Sequence, residues 1–253
     1  MIKTPISLGG LRNLVKELGA AERRPLAIGG ARQLAVALER ELVRGGDPGA
    51  VRVGDPEGAA IYVHIGSEEG PLRRARRARV PIVAVTSGDE DLPYVYATDV
   101  VRLGPGRPLP VDEIVAAIAA RLGEAGAPLA ARLPTLRAAV CERIVASCAR
   151  KNGILGVAVF VPGADLPVLT LNQVRMLLLL DQAYGLELDL RDRLPEVVAT
   201  VGAGFGLRAV ARELLDVVPV AGWAVKGGVA YSGTRAVGEA AIRRLELVQS
   251  GHP

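Results

Sequence analysis

The chain has 253 residues, half of them hydrophobic but only 3% aromatic, with a formal net charge of +4 and two cysteines. Its length admits one large domain or two modest ones, and its mean hydropathy of +0.29 is high for a soluble protein. The charge is too mild to argue for nucleic acid, and so few aromatics leave no stacking platform for single strands.

The opening stretch MIKTPISLGGLRNLVKELGAAERR holds no apolar run of signal-peptide length. Leu8, Leu11, Leu14, Val15 and Leu18 recur at helical spacing, which predicts a short amphipathic helix within an arm over residues 1–23. Strands and helices then alternate. PLAIGG (25–30), AAIYVHIG (59–66), VPIVAVTSG (80–88) and TDVVRLGPG (98–106) read as strands. ARQLAVALERELV (31–43), EEGPLRRARRAR (68–79) and VDEIVAAIAARLGEAG (111–126) read as helices. This alternation predicts a Rossmann-like α/β domain over 24–126 with a mostly parallel sheet.

From 127 to 253 the strand signals fade and an all-helical domain is expected. Its first helix carries Cys141 and Cys148 on one face, roughly 10 Å apart. That is too far for a disulfide, so both are expected as buried thiols in a reducing compartment. The stretch Gly153–Leu180 raises the question of a membrane span. Its charge-free runs end at Asp165, Arg175 and Asp181, so none reaches the about 20 residues a span requires. Pro162 and Pro167 break it further, which predicts two helices meeting at PGADLP. A soluble helical core is favoured over a re-entrant hairpin. Two more helices, 197–218 and 223–248, complete the expected domain. The second carries Ala224, Gly228, Ser232, Ala236 and Ala240 as a ridge of small residues, with Ala230, Thr234 and Gly238 in a parallel row. Gly202 and Gly206 give one further small-residue step. Such rows allow close helix packing, within the chain or between copies.

No residue set defines a catalytic site. A phosphate loop requires GxxxxGK(S/T), whereas the turn after the first strand reads GGARQLAV. Gly29, Gly30 and the following helix could hold an anion only weakly. His64 and His252 lack partners at metal spacing, and His64 is expected to be a satisfied core residue. Asp165, Asp181, Asp189 and Asp192 form no pair that spacing alone can place. Arg73, Arg74, Arg76, Arg77 and Arg79 wrap most of a short helix. That basic patch is read as a solvated face first, and as a contact for anionic lipid second.

PGADLPVLTLNQVRMLLLLDQAYG (162–185), followed by GAGFGLRAVARELLDVVPVAGWAVKGGVAYSGTRAVGEAA (202–241), resembles the YcjF-like bacterial family. The likeness rests on Pro162 through Asp165, Leu-Thr, Tyr-Gly, Gly-Phe-Gly-Leu-Arg (204–208, with Arg208 last) and Pro-x-x-Gly-Trp ending at Trp223. That family often accompanies Era-like GTPase domains and is described as membrane-associated. The resemblance implies a degenerate GTPase-like first half: PLAIGG as the strand before the phosphate loop, Ser67–Gly70 in the place of DxxG, and Thr86–Asp89 in that of NKxD. Asp89 stands in for the last acid, and YATD (96–99) for the loop behind the base. No cofactor, metal, small-molecule substrate or nucleic acid is expected. The resemblance supplies no activity; the expectation is a non-enzymatic adaptor or scaffold of unknown process in the cytoplasm, at the inner face of the cell membrane, with a membrane surface, a membrane protein or a second copy as partner. A divergent guanine-nucleotide switch or hydrolase is the alternative.

Overall fold

The computed structural model describes residues 8–20, 23–88, 91–158, 166–186 and 222–251. The chain divides into two compact units, Glu22–Arg143 and Met1–Ala21 with Ile144–Pro253. The first is a doubly wound α/β unit and the second is helical among its described residues.

In the α/β unit, β1 (Leu26–Gly30), β2 (Val51–Val53), β3 (Ile61–Ile65), β4 (Ile82–Thr86) and β5 (Val100–Arg102) form one parallel sheet in the order β2-β1-β3-β4-β5. Fully buried β3 and β4 are continuously apolar apart from His64 and Thr86, as strands covered on both faces must be. The strand β2 was not legible in the sequence. With three residues, it carries too little alternation to stand out beside Gly45–Gly49.

The crossover from β1 to β2 carries α2 (Arg32–Leu42), and that from β3 to β4 carries α3 (Glu69–Arg77). They run in opposite directions along the sheet, so the right-handed rule puts α2 and α3 on opposite faces. Ala27, Tyr62, Ile82 and Ala84 pack with Leu72 and Ala75 of α3. β2 and β3 are joined by residues 54–60 without a helix; Ala59 of that segment enters the same cluster.

After β5 come α4 (Val111–Leu122), a 3-10 turn and α5 (Ala127–Arg132). Asp112 and Glu113 open α4 and Arg121 lies in its last turn, complementing the helix dipole. The run Val111–Arg132 is the one helical run among the described residues long and apolar enough to cross a membrane by length and composition. Its Ile114, Ile118, Leu129 and Ala130 are buried in the α/β unit, as a core helix requires.

Helix α6 (Pro134–Ala158) begins in the α/β unit, where Thr135 Oγ1 donates to the Leu42 carbonyl at 3.1 Å. The two compact units divide at 143/144, and Leu136, Val140 and Cys141 of the first part of α6 are buried.

The helical unit holds α1 (Leu8–Gly19), the second part of α6, α7 (Leu166–Ala183) and α8 (Gly222–Gln249). Leu14 and Leu18 of α1 are buried, and Gln182 Nε2 donates to the Leu18 carbonyl at 2.9 Å. Residues 1–21 thus belong to this unit. Arg175, one of the charges interrupting the apolar stretch, meets Glu17 of α1 at 3.2 Å. Leu169, Val174 and Met176–Leu180 are buried, so much of that stretch is helix core. The turn expected at PGADLP lies outside the described residues, as does the helix expected over 197–218.

Of the two small-residue rows on α8, the structure packs the minor one. Thr234 and Gly238 are buried, and a Cβ at Gly238 would crowd Val145 of α6. Gly227 lies against Gly153 and Val157 of α6 with no room for a side chain. Gly228, Ser232, Ala236 and Ala240, the ridge of the longer row, are exposed.

Helices α3 and α7 end in the same motif. In α7, Leu186 N–H donates to the Asp181 carbonyl and Gly185 takes the left-handed position at φ 74°. In α3, Val80 N–H donates to Ala75 and the left-handed residue is Arg79, at φ 56°. That site favours glycine, since a Cβ there costs about 1 kcal/mol. Arg79→Gly should therefore raise the stability of the α/β unit by about 1 kcal/mol, read as a higher urea midpoint at unchanged slope.

Candidate functional site

In a doubly wound sheet, ligands bind outside the carboxyl ends of the strands where the order reverses, here between β1 and β3. A crevice of about 320 Å³ opens at those ends, lined by Leu34, Ile65, Ser67, Thr86, Ser87 and Leu103 among others, none of them charged. Thr86 is nearly buried, and its hydroxyl accepts the Gly88 N–H at 3.2 Å. Asp89 lies outside the described residues.

The two glycines that close β1 precede Ala31, which lines this crevice, and each has a packing reason. Gly29 faces the α3 side, where a Cβ would overlap the Tyr62 hydroxyl. Gly30 has φ 94°, and a Cβ there would strike the Ile65 carbonyl of β3. Ala31 alone separates β1 from α2, and its N–H donates to that same carbonyl at 2.8 Å. The first amide of the turn is thus committed within the protein.

Behind β3 lies a hydrogen-bonded row. Tyr62 and His64 project to one face, with Tyr62 Oη 3.2 Å from His64 Nδ1 and His64 Nε2 3.0 Å from Glu68 Oε2. A carboxylate can only accept, so Nε2 carries the proton and Nδ1 accepts from Tyr62. His64 is fully buried with both ring nitrogens engaged, so it is a satisfied core histidine.

Burial pushes the Tyr62 hydroxyl up to about 12. Burial also holds the His64 pKa below its ordinary value, partly opposed by Glu68. The folded state therefore binds a proton at His64 less readily than the unfolded chain. That contribution is complete above the unfolded value of about 6.5 and is lost as the pH falls toward the folded value. Stability of the α/β unit should fall below about pH 6.5, and Glu68→Gln should steepen the fall by removing the opposing charge. Urea midpoints across that range, with His64→Gln as the flat control, check this.

The short strand β2 leads into Asp55-Pro56-Glu57-Gly58, which has the DxxG spelling that Ser67–Gly70 lacks. The strand β2 is a direct neighbour of β1. Asp55 Oδ1 accepts the Glu57 N–H at 2.8 Å and Oδ2 lies 3.5 Å from Arg74 Nε. Arg52 donates to the carbonyls of Asp55 and Glu57. Asp55 does not line the crevice. The signal that finds it is the acid and glycine at fixed spacing after a short apolar alternation.

YATD lies before β5, not after it. Asp99 is nearly buried with Arg121 at 3.3 Å, and that guanidinium stacks on the Tyr96 ring at 4.9 Å. These residues pin α4 to the start of β5, and the segment following β5 supplies only Leu103 to the crevice.

Pro162, Asp165, Gly202, Gly206 and Arg208 lie outside the described residues, and Trp223 occupies the first turn of α8. Ser232 is exposed, its hydroxyl donating to the Gly228 carbonyl at 2.9 Å. Arg73, Arg74, Arg76 and Arg77 are all exposed on α3. Cys141 and Cys148 are both buried. Among the described residues no three His, Cys, Asp or Glu side chains converge to hold a metal.

Compared with known proteins, the chain matches no family model, no curated sequence and no solved structure. The chain folds as a Rossmann-like α/β unit joined to a unit that is helical among its described residues.

Proposed function

We propose that the chain is a non-enzymatic adaptor or scaffold, acting at the inner face of the cell membrane and built on a GTPase-like α/β unit that takes no nucleotide phosphates. The observation that carries the reading is the one-residue connection from β1 to α2. A phosphate loop wraps its anion with several successive amides and a lysine. Here the first amide is spent on Ile65 and the glycine backbone lies against that carbonyl. Asp55, the acid with DxxG spelling, is held by Glu57 and Arg74 rather than turned to the crevice. A Mg²⁺-bound polyphosphate would find neither its cradle nor its acid. Phosphate release from GTP or ATP with Mg²⁺ should match the protein-free blank; turnover removed by changing Ser67 or Thr86 would overturn the reading.

One observation favours a second reading, a divergent guanine-nucleotide switch. The crevice lies at the carboxyl ends of the strands, with Thr86–Gly88 at its rim. Such a switch would hold a nucleotide by its base and need little from β1.

A further inference from the structure

We infer that the exposed face of α3 is a docking surface for the phosphate headgroups of an anionic membrane, an inference that rests on the membrane reading above and supplies its contact. Leu72 and Ala75 anchor α3 in the core, while Arg73, Arg74, Arg76 and Arg77 spread over the opposite arc, continued by Arg79 beyond the helix end. At 100° per residue, four guanidinium groups share somewhat less than half of the circumference. Arg74 has Asp55 as a partner; among the described residues no carboxylate lies within 4.0 Å of Arg73, Arg76, Arg77 or Arg79.

Two features resist explanation by the fold alone. Arg73 and Arg77 are four apart, and Arg73–Arg76 and Arg74–Arg77 three apart, so like charges face each other and weaken an isolated helix. The chain carries 27 acidic residues, yet α3 itself holds only Glu69, and among the described residues only Asp55 pairs with one of its arginines. The helix dipole favours cations in the last turn, which accounts for Arg76 and Arg77 but not for Arg73. Arg79 occupies a left-handed position suited to glycine, the residue that α7 uses in the same motif. A side chain retained against strain, in a row of like charges of which only Arg74 has a carboxylate partner among the described residues, points to an anion supplied from outside.

The chemistry of that anion follows from the side chains. Guanidinium groups pair bidentately with phosphate oxygens. Four to eight basic residues clustered on an amphipathic helix suit an anionic leaflet. By the opposite-face argument α3 lies on the other face of the sheet from α2, and its arginines stand on the side of the helix turned away from Leu72 and Ala75. α3 carries no aromatic side chain to stack on bases, which sets lipid ahead of single-stranded nucleic acid.

The test is flotation of the full chain with phosphatidylcholine vesicles and with the same vesicles carrying phosphatidylglycerol, at low and high salt. The parent protein should float only with the anionic vesicles, and salt should release it. Each guanidinium near such a surface is worth roughly fivefold in partition. Combined R73Q, R76Q and R77Q should then lower partition on the order of 10²-fold. R79G should lower it roughly fivefold while raising the urea midpoint, a split that a purely structural role cannot produce. If the parent floats and every variant floats equally, the α3 surface is overturned and the membrane reading stands. If the parent stays at the bottom with both vesicle types, the membrane reading fails and the docking surface with it. Capture by a DNA duplex in preference to anionic vesicles would overturn lipid as the occupant.

Discussion

Replacing Thr234 with valine should cost the helical unit about 2–4 kcal/mol, although the two side chains are nearly isosteric. Thr234 Oγ1 is the hub of a buried polar knot among α6, α7 and α8. It accepts from Asn152 Nδ2 at 3.0 Å and Gln173 Nε2 at 3.3 Å, and donates to the Ala230 carbonyl at 2.7 Å. Asn152 Oδ1 in turn accepts from Asn172 Nδ2 at 3.0 Å, and the Cys148 thiol donates to the Asn172 carbonyl at 3.3 Å. Asn152 and Thr234 are fully buried and Gln173 nearly so. Valine would remove the acceptor from two buried amide donors, each costing about 1–3 kcal/mol. Thr234→Ser keeps the hydroxyl and loses one methyl, so its cost should stay near 1 kcal/mol. Urea midpoints followed by helical circular dichroism separate the two. Equal losses would mean that apolar packing, not the knot, holds the three helices in register.

The second large effect is expected at Gly30. Gly30→Ala should destabilise the α/β unit by at least about 3 kcal/mol, since it adds a backbone clash to the cost of a left-handed φ. The obstacle is the Ile65 carbonyl, which already accepts from Ala31 and cannot retreat without breaking the β1–β3 pairing. Gly58 provides the contrast. At φ 72° it is equally left-handed, but a Cβ there meets nothing within 4 Å, so Gly58→Ala should cost only about 1 kcal/mol. A Gly30→Ala protein that keeps its stability would mean that this glycine is reserved for something other than packing on β3.

These two positions also show what the sequence could and could not reveal. The alternation of apolar strands and amphipathic helices was legible because each element repeats its period several times. The helix from Leu8, α2, α3 and α4 all fall within a residue or a few of their expected spans. Gly29 and Gly30 stood out as glycines, but a single chain reads alike for a phosphate turn and for close strand packing. Only the positions of Tyr62 and Ile65 separate the two, and those come from a neighbouring strand. The strand β2 escaped for a different reason: three residues do not establish a period, and with it went Asp55–Gly58. On α8 the longer ridge of small residues drew the eye, whereas burial follows the shorter row. Which stripe meets α6 depends on the partner helix, where Val145, Gly153 and Val157 shape the contact. His64 was correctly read as a core residue, yet its partner Glu68 was hidden beyond the end of the strand.

The measurement that bears most directly on the adaptor reading is an equilibrium titration of the whole protein with a fluorescent guanine nucleotide and Mg²⁺, repeated with the nucleoside alone. The adaptor reading predicts no saturable binding of either, and no shift of the urea midpoint by GTP; the one-residue turn after β1 accounts for the loss of the phosphates. Saturable binding that is lost in Asp89→Asn, in a protein of unchanged stability, would contradict the account and make the crevice a nucleotide site.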